Sequence, residues 1–250
     1  MSRNAQILRT IRREGEASVD DLALRLDVST QTIRRDLRDL AESGQVERVH
    51  GGARLPSGTR NIAYDERRAL NDRAKARIAE AAAQLVPDGA SIFLNIGTTT
   101  EAVARALSNR DRLVAITNNL NVAQILGGQA TSEVLVTGGV LRAADNGLVG
   151  PDAAAAASRF RADVAIIGCS ALGQDGSVLD FDAAEVAVSR AMIAHARTVV
   201  LVADGSKFRR SAPHVIATLP DLSVFVTDAP LPPLVKRAVE GNTPQIIVAD

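Results

Sequence analysis

A chain of 250 residues has room for two ordinary domains, and an apolar fraction of 46% is that of a folded protein, not a disordered one. Its net charge is zero, which withholds the strongly basic footprint of many nucleic-acid binders, although residues 1–60 carry 11 Arg and no Lys against 9 carboxylates. The single cysteine, Cys169, excludes a disulfide framework or Cys-based zinc site, and no leader-like start or apolar run near the ~18 residues of a membrane span is present.

Residues 3–14 predict a helix with Ile7, Leu8 and Ile11 inside and Arg9, Arg12 and Arg13 outside. A shorter helix follows, capped by Ser18, with Asp21 placed to close a capping box and Leu22, Ala23 and Leu26 on its apolar side. After a three-residue turn, Asp27 to Ser29, Ser29 caps a third helix that begins at Thr30. Helical periodicity puts Ile33, Leu37 and Leu40 on one face and Gln31, Arg34, Arg35 and Arg38 on the opposite one. Arginine forks match guanine edges or phosphates, and glutamine matches adenine. On a lone helix such a face would be an ordinary solvated one. Two helices joined this tightly, the second with its arginines exposed, instead describe a helix-turn-helix that lays its second helix in a major groove. Arg48-Val49-His50-Gly51-Gly52-Ala53 then reads as a small β wing, with His50 either at the backbone of DNA or bonded within the wing.

Val28-Ser29-x-x-Thr32-Ile33-Arg34-Arg35-Asp36-Leu37, followed by Arg48-x-His50-Gly51-Gly52-Ala53, resembles the DeoR-type family of bacterial transcriptional repressors. The resemblance implies a winged helix-turn-helix over residues 1–55. Ser29, Thr30, Gln31, Thr32, Arg34, Arg35, Arg38, Arg48 and His50 are the expected contacts to double-stranded operator DNA. So weakly charged a reader is expected to bind as a homodimer or homotetramer, because phosphate neutralisation supplies much of non-specific affinity. The expected compartment is reducing cytoplasm.

Residues 56–63, rich in proline, glycine and hydroxyl residues, are the expected linker, leaving 64–250 as a second domain. Residues 64–86 read as one helix with Ile78, Ala81, Ala82 and Leu85 inward, ended by Pro87-Asp88-Gly89. Short apolar runs then alternate with helical patterns: 92–96, 113–117, 134–137, 164–168, 199–203, 224–227 and 246–248. That rhythm predicts an α/β domain with a largely parallel sheet, whose ligands sit beyond the carboxyl ends of the strands.

The strand ends carry the candidate chemistry. Gly97-Thr98-Thr99-Thr100 leads straight into a helix, where hydroxyls and free N–H groups would cradle a phosphate; a plainly capped helix start is the alternative. The next runs end in Thr117-Asn118-Asn119, in Gly138-Gly139 with Arg142 close behind, and in Asp204-Gly205-Ser206-Lys207-Phe208. Lys207, one of three lysines, suits a phosphate as a point charge, with a plain surface lysine as the alternative. Asp180, Asp182 and Glu185 could accept from sugar or polyol hydroxyls, or cap the helix they precede, Asp182 especially. His195 and His214 lack metal-ligand spacing, and Cys169 is expected to pack in the core. No metal, cofactor or catalytic residue is expected.

The DeoR-type resemblance continues through Gly97-Thr98-Thr99-x-Glu101, Thr117-Asn118-Asn119-Leu120-Asn121, Leu179-Asp180-Phe181-Asp182, Ser206-Lys207-Phe208 and Thr227-Asp228-Ala229-Pro230, and narrows to members concerned with glycerol metabolism. It implies a sugar-phosphate sensor domain related to ribose-5-phosphate isomerase. A phosphorylated effector, glycerol 3-phosphate favoured, would then release the protein from DNA. The effector residues implied are Asn95, Gly97, Thr98, Thr99, Thr100, Asn118, Asn119, Gly139, Arg142, Asp180, Asp182, Glu185 and Lys207. Asn95 departs from the aspartate usual in the family, which bears on the effector's identity. A sugar-phosphate isomerase with a DNA-binding appendage, and an activator, are the alternatives to a repressor.

Overall fold

The computed structural model describes residues 2–42, 45–54, 64–129 and 131–250, the side chains of Arg12, Arg13 and Asp65 excepted. The expected linker, 56–63, and the outward placing of Arg12 and Arg13 therefore lie outside the described residues.

The N-terminal unit comprises α1 (Arg3–Glu14), β1 (Glu16–Ser18), α2 (Val19–Leu26), α3 (Thr30–Glu42), β2 (Glu47–Val49) and β3 (Gly52–Arg54). Ile7, Ile11, Leu22 and Ile33 are fully buried against one another, with Leu37 and Leu40 beside them. Both expected caps form: Ser18 Oγ accepts from Asp21 N at 3.1 Å, and Ser29 Oγ accepts from Thr32 N at 3.2 Å. Asp21 sends its carboxylate to Arg25 Nε, 2.9 Å away. The buried Asp36 of α3 accepts from Arg3 Nε at 2.5 Å and Nη2 at 3.0 Å, which fixes α1 against the third helix. β2 and β3 form an antiparallel wing, and β1, not expected from the sequence, adds to the other side of β3. Gly51 turns the wing at φ +79°, and a Cβ on Gly52 would stand 2.3 Å from Ala17 O, so the approach of β3 to β1 requires glycine there.

The second unit begins with α4 (Tyr64–Ala69) and α5 (Asp72–Ala83). The expected single helix over 64–86 is thus two. Asn71 adopts a left-handed conformation, φ +54°, which asparagine tolerates better than most residues. The break is sealed by Lys75, whose buried Nζ donates to Arg67 O at 2.6 Å and Arg68 O at 3.1 Å, carbonyls that the end of α4 leaves open.

Strands and helices then alternate: β4 (Ser91–Leu94), α6 (Thr98–Ala106), β5 (Val114–Thr117), α7 (Leu120–Gly127), β6 (Glu133–Val136), the hairpin β7 (Val140–Arg142) and β8 (Gly147–Val149), and α8 (Pro151–Ala157). After them come β9 (Ala162–Ile167), β10 (Ala171–Leu172), β11 (Ser177–Asp180), α9 (Ala183–Ala194), β12 (Ala196–Val202), β13 (His214–Thr218), β14 (Val224–Thr227), α10 (Pro233–Ala238) and β15 (Gln245–Val248). Seven strands form one sheet in the order β15-β14-β12-β9-β4-β5-β6, every pair parallel. Successive residues of a strand face opposite ways. Ile92 and Leu94 therefore enter the core with α5, α6 and α7, while Phe93 enters the other with α8, α9 and α10. The remaining strands pair as β7-β8 and as an antiparallel β10-β11-β13 sheet, neither of which the periodicity predicts. Among the described residues no helix is long and apolar enough to cross a membrane.

Because all seven strands run the same way, their carboxyl ends share one edge. The β12, β9, β4, β5 and β6 ends are consecutive along it.

Candidate functional site

On α3, Gln31, Arg34, Arg35 and Arg38 are exposed, as is Arg48 on the wing and His50 at its tip. Thr30 and Thr32 are half-buried, and the Thr32 hydroxyl lies 2.9 Å from that of the exposed Ser29. Among the described residues none of Arg34, Arg35, Arg38 and Arg48 enters an ion pair, whereas Arg3, Arg25 and Arg54 of the same unit are paired with Asp36, Glu14 and Glu47. Four guanidinium groups on α3 and the wing, unpaired among the described residues, thus turn their N–H donors to solvent.

At the sheet edge, Asn95 ends β4 and is buried. Its Nδ2 donates to Gly168 O at 3.2 Å and Ser189 Oγ at 3.1 Å, and its Oδ1 accepts from Gly168 N at 2.9 Å. Both amide donors are thereby spent joining β4 to the end of β9 and to α9. Gly97, Thr98, Thr99 and Thr100 form the start of α6, but the Thr100 hydroxyl turns inward to Asn95 O at 2.9 Å and Gly97 O at 2.8 Å. The first-turn N–H groups of this helix have no intrahelical acceptors.

Asn118 and Asn119 end β5. Asn118 donates to Leu148 O at 2.9 Å, while its buried Oδ1 has no partner among the described residues. Asn119 caps α7 through Asn121 N at 2.9 Å and donates to the buried Glu101 at 3.3 Å. Gly139 packs so closely that an added Cβ would lie 2.8 Å from Val149 O and 2.9 Å from Ala153 Cβ, which seats the β7-β8 hairpin on α8.

Arg142, on that hairpin, is ringed by carboxylates: Asp145 at 2.9 and 2.8 Å, Asp182 at 2.5 Å and Glu185 at 2.5 Å. Asp182 also caps α9, accepting from Ala184 N at 2.8 Å, so the capping role foreseen for it is real. Asp180 is buried and accepts from the Ser170 hydroxyl at 3.0 Å and Phe181 N at 2.7 Å. Burial raises the pKa of Asp180, and burial together with the Asp180 charge pushes Glu185 up to about 8. Among the described residues no group of three His, Cys, Asp or Glu side chains is arranged to hold a metal ion.

Lys207 lies in a 3-10 turn, Gly205–Arg209, beyond the end of β12. It is half-buried and in no ion pair among the described residues. Burial, then the nearby Arg210, lowers its pKa. Beside it Asp204 accepts from Asn71 Nδ2 at 2.8 Å, from Ser206 N at 3.1 Å and from the Ser206 hydroxyl. Burial pushes Asp204 up, but Lys207 and these bonds outweigh it and hold the carboxylate below its usual range. His195 bonds its own helix through Ala191 O at 2.8 Å, and Cys169 packs against the core with its thiol pushed up to about 12 by burial.

The structure thus brings most of the expected residues to one edge, and adds several that the sequence reading missed. Tyr64, the chain's only tyrosine, donates to Glu101 at 2.8 Å. Arg67 reaches Asp145 at 3.4 Å, and Asn71 donates to Asp204 and Ser206. Through these three residues α4 and its terminal turn cross the sheet edge from the β4 and β5 ends to the β12 end. Glu101 and Asn121 stood within quoted motifs and were available as signals. Arg67 and Arg210 carried none.

A family model described as a DeoR-like helix-turn-helix domain matches residues 3–59, and one described as the DeoR C terminal sensor domain matches residues 70–229. The chain is 42% identical to the HTH-type transcriptional repressor CsqR of Escherichia coli over 98% of its length and 94% of that protein's. It is 40% identical to the glycerol-3-phosphate regulon repressor of the same organism, over 98% of this chain and 97% of that one. With its Haemophilus influenzae namesake it shares 43% over 91% and 89%. Among solved structures, ribose 5-phosphate isomerase A from Neisseria gonorrhoeae superposes on 56% of this chain and 54% of its own, with a TM-score of 0.40 and 18% identity.

Proposed function

The chain belongs to the DeoR family of transcriptional regulators, and from that membership we infer that it is a DNA-binding repressor of carbon-metabolism genes, released from its operator by a phosphorylated polyol or sugar. The observation that carries this reading is the pairing, in one chain, of an α3 face with unpaired arginines and a strand-edge site rich in polar groups. α3 would lie in the major groove with Gln31, Arg34, Arg35 and Arg38 toward base edges. Ser29, Thr30 and Thr32 at its N-terminus, and Arg48 and His50 on the wing, would meet the sugar-phosphate backbone. Residues 1–55 act as the DNA-binding domain and 64–250 as the sensor.

Glycerol 3-phosphate is the favoured effector, since the resemblance narrows to the glycerol-related members and two of the relatives bear that compound in their names. Its phosphate would sit among Gly97, Thr98, Thr99, Thr100 and Lys207. Its hydroxyls would meet Asn118, Asn119 and the Asp180, Asp182, Glu185 and Arg142 cluster, with Asn95 and Gly139 shaping the walls. A homodimer or homotetramer supplies the second reading helix that a weakly charged domain needs. An enzyme is the weaker reading: the relatives are repressors, and the carboxylates a proton transfer would use are held in caps and ion pairs.

An effector releases DNA only if it binds the DNA-incompetent arrangement more tightly than the DNA-bound one. The test is binding to a fluorescent fragment of the gene's own upstream DNA, titrated with glycerol 3-phosphate, fructose 6-phosphate, ribose 5-phosphate and inorganic phosphate. Selective release by the first supports the whole reading. Release by another sugar phosphate keeps the mechanism and moves the effector; tight binding indifferent to all four removes the sensor reading.

A further inference from the structure

Three cations approach one another near the β12 end, and two of them bury an N–H that meets no acceptor among the described residues. Arg67 is on α4, Lys207 in the 3-10 turn and Arg210 directly after it. Arg67 gives one Nη to Asp145 at 3.4 Å, yet its Nε–H is buried with no acceptor among the described residues, and the Nε–H of Arg210 is in the same condition. Lys207 makes no ion pair among the described residues. The nearby Asp204 and Asp180 attract these cations, yet among the described residues neither carboxylate hydrogen-bonds any of the three. Asp204 is taken by Asn71 and Ser206, and Asp180 by Ser170 and Phe181. The three are near enough to disfavour one another's charge: Arg210 and Arg67 both act on Lys207, and Arg67 acts on Arg210.

Clustered like charges with buried, unpaired N–H groups are a standing cost that an entering anion removes. A guanidinium offers Nε–H and Nη–H in parallel, the spacing of two oxygens on one phosphorus, and an ammonium meets the third oxygen as a point charge. A phosphate monoester, with three terminal oxygens and two negative charges near neutral pH, fits two forks and an ammonium. We propose that Arg67 and Arg210 join Lys207 to clamp the phosphate of the effector, so that the helix following the linker forms one wall of the effector site. This rests on the phosphate-sensing reading above and adds to it two residues and a route. Arg67 is four residues beyond the expected linker, and the same α4 is fastened at Tyr64 to Glu101 and just past its end at Asn71 to Asp204. A phosphate held by Arg67 therefore pulls directly on the segment that leads to the DNA-binding unit.

The experiment is calorimetric titration and thermal melting of the full chain with inorganic phosphate, with glycerol 3-phosphate, and with glycerol as the uncharged control. It uses the wild type, Arg67→Gln, Arg210→Gln, Arg210→Lys, and Arg237→Gln on the exposed face of α10 as a charge-loss control. Both phosphates bind the wild type and raise its melting temperature; glycerol does neither. Arg67→Gln and Arg210→Gln each weaken phosphate binding by about tenfold or more, Arg210→Lys weakens it less, and Arg237→Gln leaves it alone. The two Gln variants lie on different elements, so either alone carries the test if the other fails to melt cooperatively. Undiminished phosphate affinity in a folded Gln variant overturns the clamp while leaving phosphate sensing intact. No phosphate binding by the wild type also overturns it, and operator release by glycerol 3-phosphate then judges the sensing reading separately.

Discussion

Tyr64 Oη donates to Glu101 Oε2 across 2.8 Å, fastening the first residue of α4 to the first turn of α6. Asn121 stands on the same pair, donating to Tyr64 Oη at 3.0 Å and Glu101 Oε1 at 3.0 Å. Glu101 is buried, and its hydrogen-bond partners among the described residues are all neutral donors. Burial and the bond to Glu101 push the Tyr64 phenol up to about 12, so it stays protonated and donating throughout the ordinary pH range. The latch holds the segment that enters from the linker against the strand-edge site.

Tyr64→Phe removes one hydroxyl and leaves a buried carboxylate a donor short. The expected loss is about 1–3 kcal/mol of sensor stability. Urea unfolding followed by circular dichroism reads it as a lower midpoint with an unchanged slope. A midpoint equal to the wild type means that Tyr64 does not hold Glu101.

Arg35→Ala removes a fork from the exposed face of α3, where the side chain makes no ion pair among the described residues. Specific operator binding should weaken by about 1–3 kcal/mol, roughly tenfold to a hundredfold, with discrimination relaxed at one base pair. Glycerol 3-phosphate binding should match the wild type. Equal loss of both activities would count against reading DNA and effector at separate domains.

The periodic parts of the molecule were open to reading from the sequence. α3 alternates apolar and charged residues at helical spacing, and each run of the parallel sheet is apolar enough to be buried on both faces. What escaped depends on meetings across the chain. Arg67 lies 78 positions from Asp145, and Asn71 lies 133 from Asp204, so no local window contains either pair. The break between α4 and α5 carries no glycine or proline; Asn71 simply accepts a left-handed conformation that Lys75 then seals. Asn95 is an expected ligand through the family resemblance, as the position where an aspartate is usual, and only the positions of Gly168 and Ser189 reveal that its donors are spent.

Glu185 sets a pH dependence whose sign follows from its environment. Burial and Asp180 raise its pKa from 4.5 to about 8 in the folded protein. Between those values the folded state holds a proton that the unfolded state has released. Stability is therefore greatest below the unfolded value and is lost as pH rises toward 8. Lys75, lowered from 10.5 to about 8 chiefly by burial, acts in a separate window above that. Urea midpoints measured from pH 5 to 8 should fall for the wild type, and fall less for Glu185→Gln, which has no proton to lose. Parallel curves for the two proteins would mean that another group carries the slope.

Gly15 ends α1 at φ +83° and rests against the sensor's 3-10 turn, where an added Cβ would stand 2.5 Å from Arg209 Cβ and 3.1 Å from Arg209 O. Its N–H also closes the helix by donating to Ile11 O at 2.7 Å. Gly15→Ala therefore carries two costs that can be separated. Left-handed strain, about 1–2 kcal/mol, belongs to the DNA-binding unit alone. The collision with Arg209 belongs to the contact between the two units. In an Arg209→Gly background the Cβ–Cβ part of that collision is gone, so Gly15→Ala should cost less there than in the wild type. The interaction energy expected for such a contact is about 0.5–3 kcal/mol. Thermal melts of the four proteins of the cycle measure it. Additive losses would mean that α1 does not lean on the turn carrying Lys207, and that the effector's signal reaches the DNA-binding unit through α4 alone. A positive coupling gives the sensor a second point of leverage, because the turn that presents Lys207 on one side supports α1 on the other.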